Sequence, residues 1–117
     1  MGTMPTYDHP RPAVTVDILV VGRTLAGERL LLVRRRNPPF SGCWALPGGF
    51  VEVGDEVGHQ GEELEQAARR ELREETGISG VELNQVGAFG APDRDPRHRT
   101  ITVLYRAEVI EPLPEVR

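Results

Sequence analysis

Hydrophobic and polar residues alternate along the first part of the chain in the manner of β-strands. Residues 13–21 are rich in Val and Ile, and the apolar pattern resumes at residues 30–33. The segment between them, residues 22–28, contains two glycines, so the sequence predicts a strand, a turn and a strand. Residues 37–39, Asn-Pro-Pro, end regular pairing because proline lacks the amide hydrogen that a β-ladder requires.

The hydrophobic period changes in residues 62–76, where Glu, Ala, Leu and Arg predominate. These residue types are good helix formers, and the apolar positions recur at spacings of three and four, which predicts an amphipathic helix. Gly77 follows directly. It can end the helix, because glycine adopts the left-handed conformation without a steric penalty.

The last part of the chain returns to strand-like patterns. Residues 81–89 and 101–109 predict two more strands, and a polar loop rich in Pro and Arg, residues 91–99, connects them. The residues from Glu111 onwards show no helical period. One strong helix among several strands predicts a mixed α/β fold.

Length and charge limit the classes of function. The chain has 117 residues, which suits one domain, so residues 13–117 are expected to form it after a flexible arm, residues 1–12. A net charge of −4 argues against long nucleic acid as a partner, because a polyphosphate backbone attracts an excess of Lys and Arg. The basic run at residues 34–36 suits a small anionic ligand, or else it is a solvated strand end.

Nothing in the sequence indicates export or a membrane partner. Cys43 is the only cysteine, which excludes an internal disulfide, and no His and Cys cluster has the spacing of a structural zinc site. The N-terminal residues contain no signal-peptide core, and no span is long enough to cross a bilayer. A cytoplasmic location is therefore expected.

Three carboxylates share one side of the predicted helix. Glu71 stands three positions before Glu74 and four before Glu75. A bound cation would offset their mutual repulsion, and hard divalent ions such as Mg²⁺ prefer oxygen ligands. The alternative is an ordinary surface helix whose acidic residues form ion pairs with neighbouring arginines.

The order of residues around this helix resembles a known family signature. Residues 70–78 read Arg-Glu-Leu-Arg-Glu-Glu-Thr-Gly-Ile, and residues 46–52 read Leu-Pro-Gly-Gly-Phe-Val-Glu. The first motif is similar to the second half of the Nudix signature, with every fixed position present. The second is similar to its usual lead-in. On these motifs the chain resembles Nudix hydrolases over roughly residues 13–109.

The signature is interrupted in one place. Gly49 lies too far from Glu62, and residues 55–61 between them are extra relative to the family pattern. Either Glu62 fills the first acidic position, or Asp55 fills it and the extra residues follow. Because glycines carry an entropic cost in a helix, residues 55–61 are expected to form a mobile excursion at the entrance to the helix.

The resemblance implies a fold and a metal-dependent reaction. The fold would be an α/β/α sandwich on a mixed sheet, and since a typical family domain continues further, its C-terminal part is expected to be missing here. Glu71, Glu74 and Glu75 would hold Mg²⁺ or Mn²⁺, with a backbone carbonyl near Gly49. Arg70 would orient a glutamate. Glu71 or Glu74 would act as general base, unless a later loop supplies one, while water attacks a diphosphate.

Two further segments indicate a substrate class by resemblance. Residues 34–40, with the tryptophan that follows, and residues 92–97 are similar to Nudix proteins of the ADP-ribose pyrophosphatase type and to ADP-ribose-sensing regulators. Arginines could grip phosphate or ribose oxygens, and aromatic rings could stack on a base. The alternatives are core packing for the tryptophan and a solvated loop for the arginines. The expected substrate-binding residues are Arg36, Phe40, Trp44, Arg94 and Arg97.

Three functions remain open at this stage. The first is hydrolysis of ADP-ribose, or a related nucleotide sugar, to AMP and ribose 5-phosphate. The second is house-cleaning hydrolysis of nucleoside triphosphates, and the third is binding of ADP-ribose without turnover. The complete carboxylate set favours hydrolysis. A sheet that ends near Val109 without a covering helix would expose apolar surface, so a longer native chain or a homodimer is expected.

Overall fold

A computed structural model of the chain describes residues 7–36, 40–54, 61–110 and 112–114. Within these ranges the chain forms one helix, α1 (Leu64–Thr76). The strands are β1 (Ala13–Thr24), β2 (Gly27–Leu30), β3 (Val33–Arg34), β4 (Trp44–Ala45), β5 (Gly48–Phe50), β6 (Asn84–Phe89) and β7 (Thr100–Ile110).

The main sheet is mixed, as the family resemblance implies. Its long central strands β1 and β7 run parallel to each other, while β2 and β6 pair with them antiparallel at the two edges. β5 pairs antiparallel with the first part of β1, and β3 and β4 form a separate two-stranded sheet. The prediction of a mixed α/β fold is confirmed, with a single helical layer among the described residues.

The core lies between α1 and one face of the sheet. Every second residue of β1 and β7 points to this face because a strand alternates its side chains. The helix approaches closely because two of the side chains it buries are alanines. The buried hydrophobic side chains of these three elements are Val16, Ile18, Val20, Ala67, Ala68, Leu72, Val103, Tyr105 and Ala107.

The helix begins at Leu64, two residues later than its pattern predicts. Glu63 is the N-cap with extended angles, φ −71° and ψ 157°, and its N–H donates to Gln66 Oε1 at 3.0 Å. Glu62 lies outside the helix because its carboxylate accepts a hydrogen bond of 2.9 Å from the Glu52 N–H. A tertiary contact therefore removes a good helix former from the helix.

The C-terminal end of α1 follows the prediction. Gly77 adopts the left-handed conformation with φ 84°, and its N–H donates to the Arg73 carbonyl at 2.8 Å. The Ile78 N–H then donates to Thr76 Oγ1 at 3.1 Å. Ile78 is buried, so the chain turns directly back to the core after the glycine.

The turn between β1 and β2 is shorter than predicted. Only two residues separate the strands, instead of the whole segment 22–28. Thr24 closes the turn, because its Oγ1 accepts from the Ala26 N–H at 3.2 Å and donates to the Gly27 carbonyl at 2.9 Å. As a result β2 lies before the predicted strand at residues 30–33 and shares only Leu30 with it.

The later strands agree better with the sequence pattern. β7 extends one residue beyond each end of the predicted segment 101–109. β6 begins three residues after the start of the predicted segment 81–89, since the Val81 carbonyl accepts a hydrogen bond of 2.7 Å from Arg69 Nη1 and is tied to the helix. Residues 91–99 form the connecting loop, as predicted.

Two of the sequence expectations fall partly on positions that are not described. Residues 55–60 lie outside the described residues, and Gly61 is the described end of the extra segment, with φ 104°. Of the N-terminal arm, residues 7–12 are exposed and form neither helix nor strand. Among the described residues, no helix has the length and apolar character needed to span a membrane.

Candidate active site

A cleft of about 1180 Å³ lies where β1, β5, α1 and the loop at residues 91–99 meet. The basic run of residues 34–36 contributes to its lining, as do residues from both long central strands. Side chains of both charge signs therefore share one open space. Its charged lining residues are Asp17, Glu74, Glu75, Asp95, Arg34, Arg35, Arg36, Arg94 and Arg97.

The helix presents two of its three predicted carboxylates to this cleft. Glu74 and Glu75 line it, whereas Glu71 lies against the Gly-Gly lead-in. A Cβ built on Gly49 would stand only 2.6–2.8 Å from the Glu71 carboxyl atoms. A side chain at position 49 would therefore make the end of the Glu71 side chain move away from the Gly-Gly lead-in.

Arg70 connects the acidic residues behind the cleft. Its Nη1 donates to Glu71 Oε1 at 2.8 Å and to Glu74 Oε2 at 3.2 Å, while its Nη2 donates to Glu62 Oε1 at 2.7 Å. The Nη2 also donates to the Phe50 carbonyl at 3.2 Å. The ion pairs expected of an ordinary surface helix are thus partly present. They are organised around one arginine, whose side chain is only 16% exposed.

Of the two candidates for the first acidic position of the signature, Glu62 is seen to interact with Arg70. Its hydrogen bond from Arg70 is the largest cause of the lowered pKa of the Glu62 carboxyl. The same hydrogen bond is the largest cause of the raised pKa of Arg70, and burial acts in the opposite direction. This contact supports the alignment in which Glu62 fills the first acidic position of the signature. The alternative residue, Asp55, lies outside the described residues.

Negative charge is crowded at the junction of the helix and the sheet. Burial raises the pKa of Glu75 to about 7; a hydrogen bond from the Gly48 backbone opposes this, and Glu71 and Asp17 add to it. The pKa of Asp17 is raised as well, mainly by burial, although Arg94 and a hydrogen bond with Thr102 act in the opposite direction. Ionised carboxylates at this junction would be stabilised by a cation.

The sequence interpretation missed Asp17, although a signal for it exists. The residue is the only charged side chain in the apolar part of β1, since the other charged residue of the strand, Arg23, stands near its end. A charge at such a position has to be paired, hydrogen-bonded or functional, because burying it uncompensated is costly. The alternation pattern of β1 therefore marks Asp17 as a candidate without any knowledge of the fold.

The chemistry of the donor set fits a hard divalent cation. The side chains at the junction offer only carboxylate oxygens, which suit Mg²⁺ or Mn²⁺ and not a metal that prefers thiolate. No three acidic, His or Cys side chains of the described residues already converge as a metal site. Arg70 holds the carboxylates of Glu71 and Glu74. The donor chemistry and the crowding fit, and the ligand set itself stays a prediction.

The loop contributes Arg94 and Arg97, two of the expected substrate-binding residues, to the lining of the cleft. Arg94 Nη2 donates to Thr102 Oγ1, which in turn lies 2.7 Å from Thr15 Oγ1 on the neighbouring strand. Asp95 pairs with Arg97 at 2.7 Å. Both arginines therefore have specific hydrogen-bond partners, and both remain exposed to solvent.

The aromatic residues are arranged differently from the expectation. Trp44 is 61% exposed and lines the cleft, with Arg34 Cζ 4.9 Å from its ring centroid, so the alternative of core packing is wrong. Arg36, another expected substrate-binding residue, also lines the cleft. Phe40 is 64% exposed and is not among the lining residues, and Phe50 of β5 lines the cleft instead. The position of Phe50 directly after Gly-Gly was its signal in the sequence.

Residues 11–116 match the protein family described as NUDIX domain. Two relatives share 41% of the aligned residues. One is the ADP-ribose pyrophosphatase of Methanocaldococcus jannaschii, aligned over 89% of this chain and 54% of that protein. The other is the ADPR responsive transcriptional repressor NtrR of Acinetobacter baylyi, aligned over 86% and 38%. The chain thus spans about half, or less, of the length of these relatives.

Solved structures share the fold. A MutT/nudix family protein from Enterococcus faecalis has a TM-score of 0.83 at 32% identity, over 97% of this chain and 42% of that one. The NUDIX domain of Shewanella oneidensis NrtR, complexed with ADP ribose, has a TM-score of 0.78 at 31% identity, over 95% of this chain and 74% of that one. A third structure is a bifunctional NMN adenylyltransferase/ADP ribose pyrophosphatase from Francisella tularensis, complexed with AMP and a Mn ion. Its TM-score is 0.75 at 33% identity, over 95% of this chain and 32% of that one.

One similar structure bears on the expectation about nucleic acid. Shewanella oneidensis NrtR complexed with a 27mer DNA has a TM-score of 0.68 at 36% identity, over 80% of this chain and 41% of that one. Resemblance to such proteins does not exclude nucleic acid for a longer protein that contains this domain. The net charge of −4 is the property of this chain that disfavours long nucleic acid as a partner.

Proposed function

Because this chain belongs to the Nudix family, we propose that it is a pyrophosphohydrolase that requires a divalent metal ion and cleaves the diphosphate of a nucleoside diphosphate sugar, with ADP-ribose preferred. The observation that carries the proposal is the composition of the cleft. Its lining combines carboxylates of the signature helix with the two loop arginines, Arg94 and Arg97. A diphosphate needs both, a metal site for the reacting phosphorus and fixed cations for its remaining charge.

Glu71, Glu74 and Glu75, with the carbonyl of Gly49, would hold Mg²⁺ or Mn²⁺. The ion would neutralise charge on the diphosphate and lower the pKa of a bound water. A Mn ion in the similar Francisella tularensis structure supports this metal class. Of the two candidate bases we assign Glu74, because it lines the cleft and its side chain is 55% exposed, whereas that of Glu71 is 14% exposed.

Arg70 acts as a positioning residue in this proposal. It is not among the lining residues, and its donors are directed at carboxylates and at a backbone carbonyl. By holding Glu71 and Glu62 together, it keeps the acidic side chains at fixed distances before any ion binds. Charge-assisted hydrogen bonds of this kind are short and directional, which suits the role.

The two ends of the substrate would meet different surfaces. The exposed ring of Trp44, already paired with Arg34, offers a flat face for a nucleobase. Arg94 and Arg97 would contact the diphosphate, and Asp17 and Thr102 offer hydrogen-bond partners for hydroxyl groups. The names of the Methanocaldococcus relative and the ADP ribose in the Shewanella domain support ADP-ribose as the preferred compound.

A substrate panel tests the proposal. We expect AMP and ribose 5-phosphate from ADP-ribose in the presence of Mg²⁺. Release of pyrophosphate from nucleoside triphosphates at least about tenfold more efficiently, a difference of about 1.4 kcal/mol, would instead support the house-cleaning function. Tight binding of ADP-ribose without any turnover would support the sensing function, which the name of the Acinetobacter relative and the ADP ribose in the Shewanella NrtR domain suggest.

The partner that we propose for this domain is a small nucleotide, and we do not propose long nucleic acid or a membrane.

A homodimer is also proposed, because the edge strand β6 exposes Val86 at 54% and Phe89 at 50%. Apolar side chains on an edge strand favour association. Light scattering of the purified chain would decide this, since a mass of one chain at high concentration excludes the dimer.

A further inference from the structure

One arginine of the cleft is held from two sides. Asp95 accepts hydrogen bonds from the Arg97 backbone N–H at 2.9 Å, from its Nε at 3.0 Å and from its Nη2 at 2.7 Å. The Arg97 Cζ also lies 5.0 Å from the centroid of the Phe50 ring. We propose that Asp95 and Phe50 are positioning residues that fix Arg97 as a preordered anion-binding group of the cleft.

The hydrogen-bond geometry leaves Arg97 able to bind an anion. Asp95 takes the side-on edge of the guanidinium, through Nε and Nη2, with one carboxylate oxygen for each. A guanidinium has five N–H donors in a fixed fork. The two N–H groups of Nη1 and the second one of Nη2 are not used by Asp95, and they form the end-on edge that matches a phosphate.

Burial separates the two roles within the pair. The Asp95 side chain is 12% exposed and that of Arg97 is 37% exposed, so the carboxylate is the covered partner and the cation remains accessible. Thr100, which is buried at the start of β7, places its Oγ1 3.4 Å from Asp95 Oδ2. The carboxylate therefore stands at the point where the loop joins the sheet.

Phe50 relates this arginine to the carboxylate helix. Its carbonyl accepts a hydrogen bond of 3.2 Å from Arg70 Nη2, while its ring contacts Arg97 and lies 5.8 Å from the His98 ring. A single residue thus contacts the arginine that organises the helix acids and the arginine of the loop. Fixing both relative to Phe50 sets the spacing between the metal-binding side of the cleft and its cationic side.

Preordering has a functional consequence. A long arginine side chain loses rotamer freedom when it grips an anion, and Asp95 has removed that freedom before the ligand arrives. The identity of the anion, the diphosphate of a nucleotide sugar, rests on the proposed function. The positioning of Arg97 by Asp95 and Phe50 does not depend on the proposed function.

The first test is the substitution Asp95→Asn, which keeps the shape of the side chain and removes its charge. With ADP-ribose we expect KM to rise about fivefold while kcat stays within about twofold, because a contact shared by ground state and transition state is weakened. Asp93→Asn is the matched control. Asp93 is exposed on the same loop, is not among the lining residues, and has φ 64°, which asparagine tolerates. Its KM should not change.

A double-mutant cycle shows whether Asp95 acts through Arg97. In an Arg97→Ala background, Asp95→Asn should change KM by less than about twofold, because the residue that it positions is gone. An equal rise in KM in both backgrounds would mean that Asp95 acts elsewhere. A fall in KM for Asp95→Asn would mean that Asp95 competes with the ligand. Either result overturns the proposal.

A readout without catalysis separates this proposal from the proposed function. In the ligand-free protein, the NMR signal of the Arg97 Nε–H should exchange slowly, and this protection should be lost in Asp95→Asn and kept in Asp93→Asn. Equal exchange in all three proteins would refute the positioning role whatever the substrate is. If protection behaves as expected but ADP-ribose is not hydrolysed, only the proposed function fails, and the Kd for ADP-ribose replaces KM in the cycle.

Discussion

Two carboxylates that line the same cleft differ in the direction in which their pKa is shifted. Burial raises the pKa of Glu75 on α1 to about 7, with further contributions from Glu71 and Asp17. The pKa of Asp95 in the loop lies below its usual value, chiefly because of the hydrogen bond from the Arg97 side chain. Negative charge is therefore concentrated on the helix side of the cleft, whereas on the loop side the charge of Asp95 is neutralised by Arg97.

This difference indicates how the two sides would respond to a ligand. The helix side holds like charges close together, so an external cation lowers its free energy. On the loop side Arg97 is already paired with Asp95, so an anionic ligand meets an ordered cation whose charge is partly neutralised. A substrate that carries a metal-bound diphosphate meets both conditions. The predictions that follow separate the two sides experimentally.

The largest effect is expected on the helix side. Each of Glu71→Gln, Glu74→Gln and Glu75→Gln should lower kcat by about a hundredfold or more, the scale of losing one preorganised electrostatic group. Each variant should still fold, because the substitution keeps the size of the side chain and opens no cavity. Glu65→Gln is the control on the same helix, since Glu65 pairs with Arg69 at 3.2 Å outside the cleft. Near-normal activity of all three variants at saturating Mg²⁺ would contradict the assigned site.

Metal binding should stabilise the fold through the helix side alone. Adding Mg²⁺ or Mn²⁺ to chelator-treated protein at a hundred times its Kd should stabilise it by about 2.7 kcal/mol, seen as a higher melting temperature. Glu75→Gln should reduce this shift, and Asp95→Asn should leave it unchanged, because Asp95 is paired with Arg97. A shift that both variants lose, or that neither loses, would remove the distinction between the two sides.

On the loop side the expected effect of a single change is smaller. Arg94→Ala should raise KM for ADP-ribose by about tenfold, or about 1.4 kcal/mol, and lower kcat less. Arg94 lines the cleft and donates to Thr102, whereas Arg99 is exposed and is not among the lining residues. Arg99→Ala is therefore the matched control. Equal KM values for the two variants would show that general loop charge, not a placed arginine, attracts the substrate.

The smallest effect concerns the pH dependence of the loop. A carboxyl with a lowered folded-state pKa contributes stability above its unfolded value of 3.8, and this contribution is lost as the pH falls through the folded-state value. The carboxyl ¹³C signal of Asp95 should therefore show no titration between pH 7 and pH 4 in the folded protein. In Arg97→Ala the titration should move up towards the ordinary value. Titration of Asp95 at its ordinary pKa in the unmodified protein would contradict the ion pair.

How far the sequence predicts the site differs between the two sides. The spacing of Glu71, Glu74 and Glu75 follows from the helical repeat, and the end of the helix at Gly77 follows from the backbone freedom of glycine. Both were predicted correctly because they depend on neighbours within one turn. The start of the helix was wrong by two residues, because Glu62 is withdrawn by Arg70 and by the backbone of Glu52.

On the loop side the sequence predicted two arginines that line the cleft but not the contacts that they make. Arg94 and Arg97 line the cleft as expected, yet the residues that hold them, Thr102 and Asp95, were not singled out. For the aromatic positions the outcome was mixed. Trp44 lines the cleft and Phe40 does not, and nothing within either segment distinguishes the two, since exposure to the cleft depends on how distant segments pack.

The sequence by itself determined the family resemblance, the elements and the residues that carry charge, because periodicity, turn chemistry and motif spacing act over a few neighbouring positions. Only the tertiary structure decided which charges meet. Asp17 affects the pKa of Glu75 because β1 pairs there with Gly48 of β5, whose backbone donates a hydrogen bond to Glu75, and Phe50 contacts Arg97 because β5 pairs with β1 near the loop. Such contacts join residues distant in the chain, and their energies depend on burial, which the local pattern does not contain.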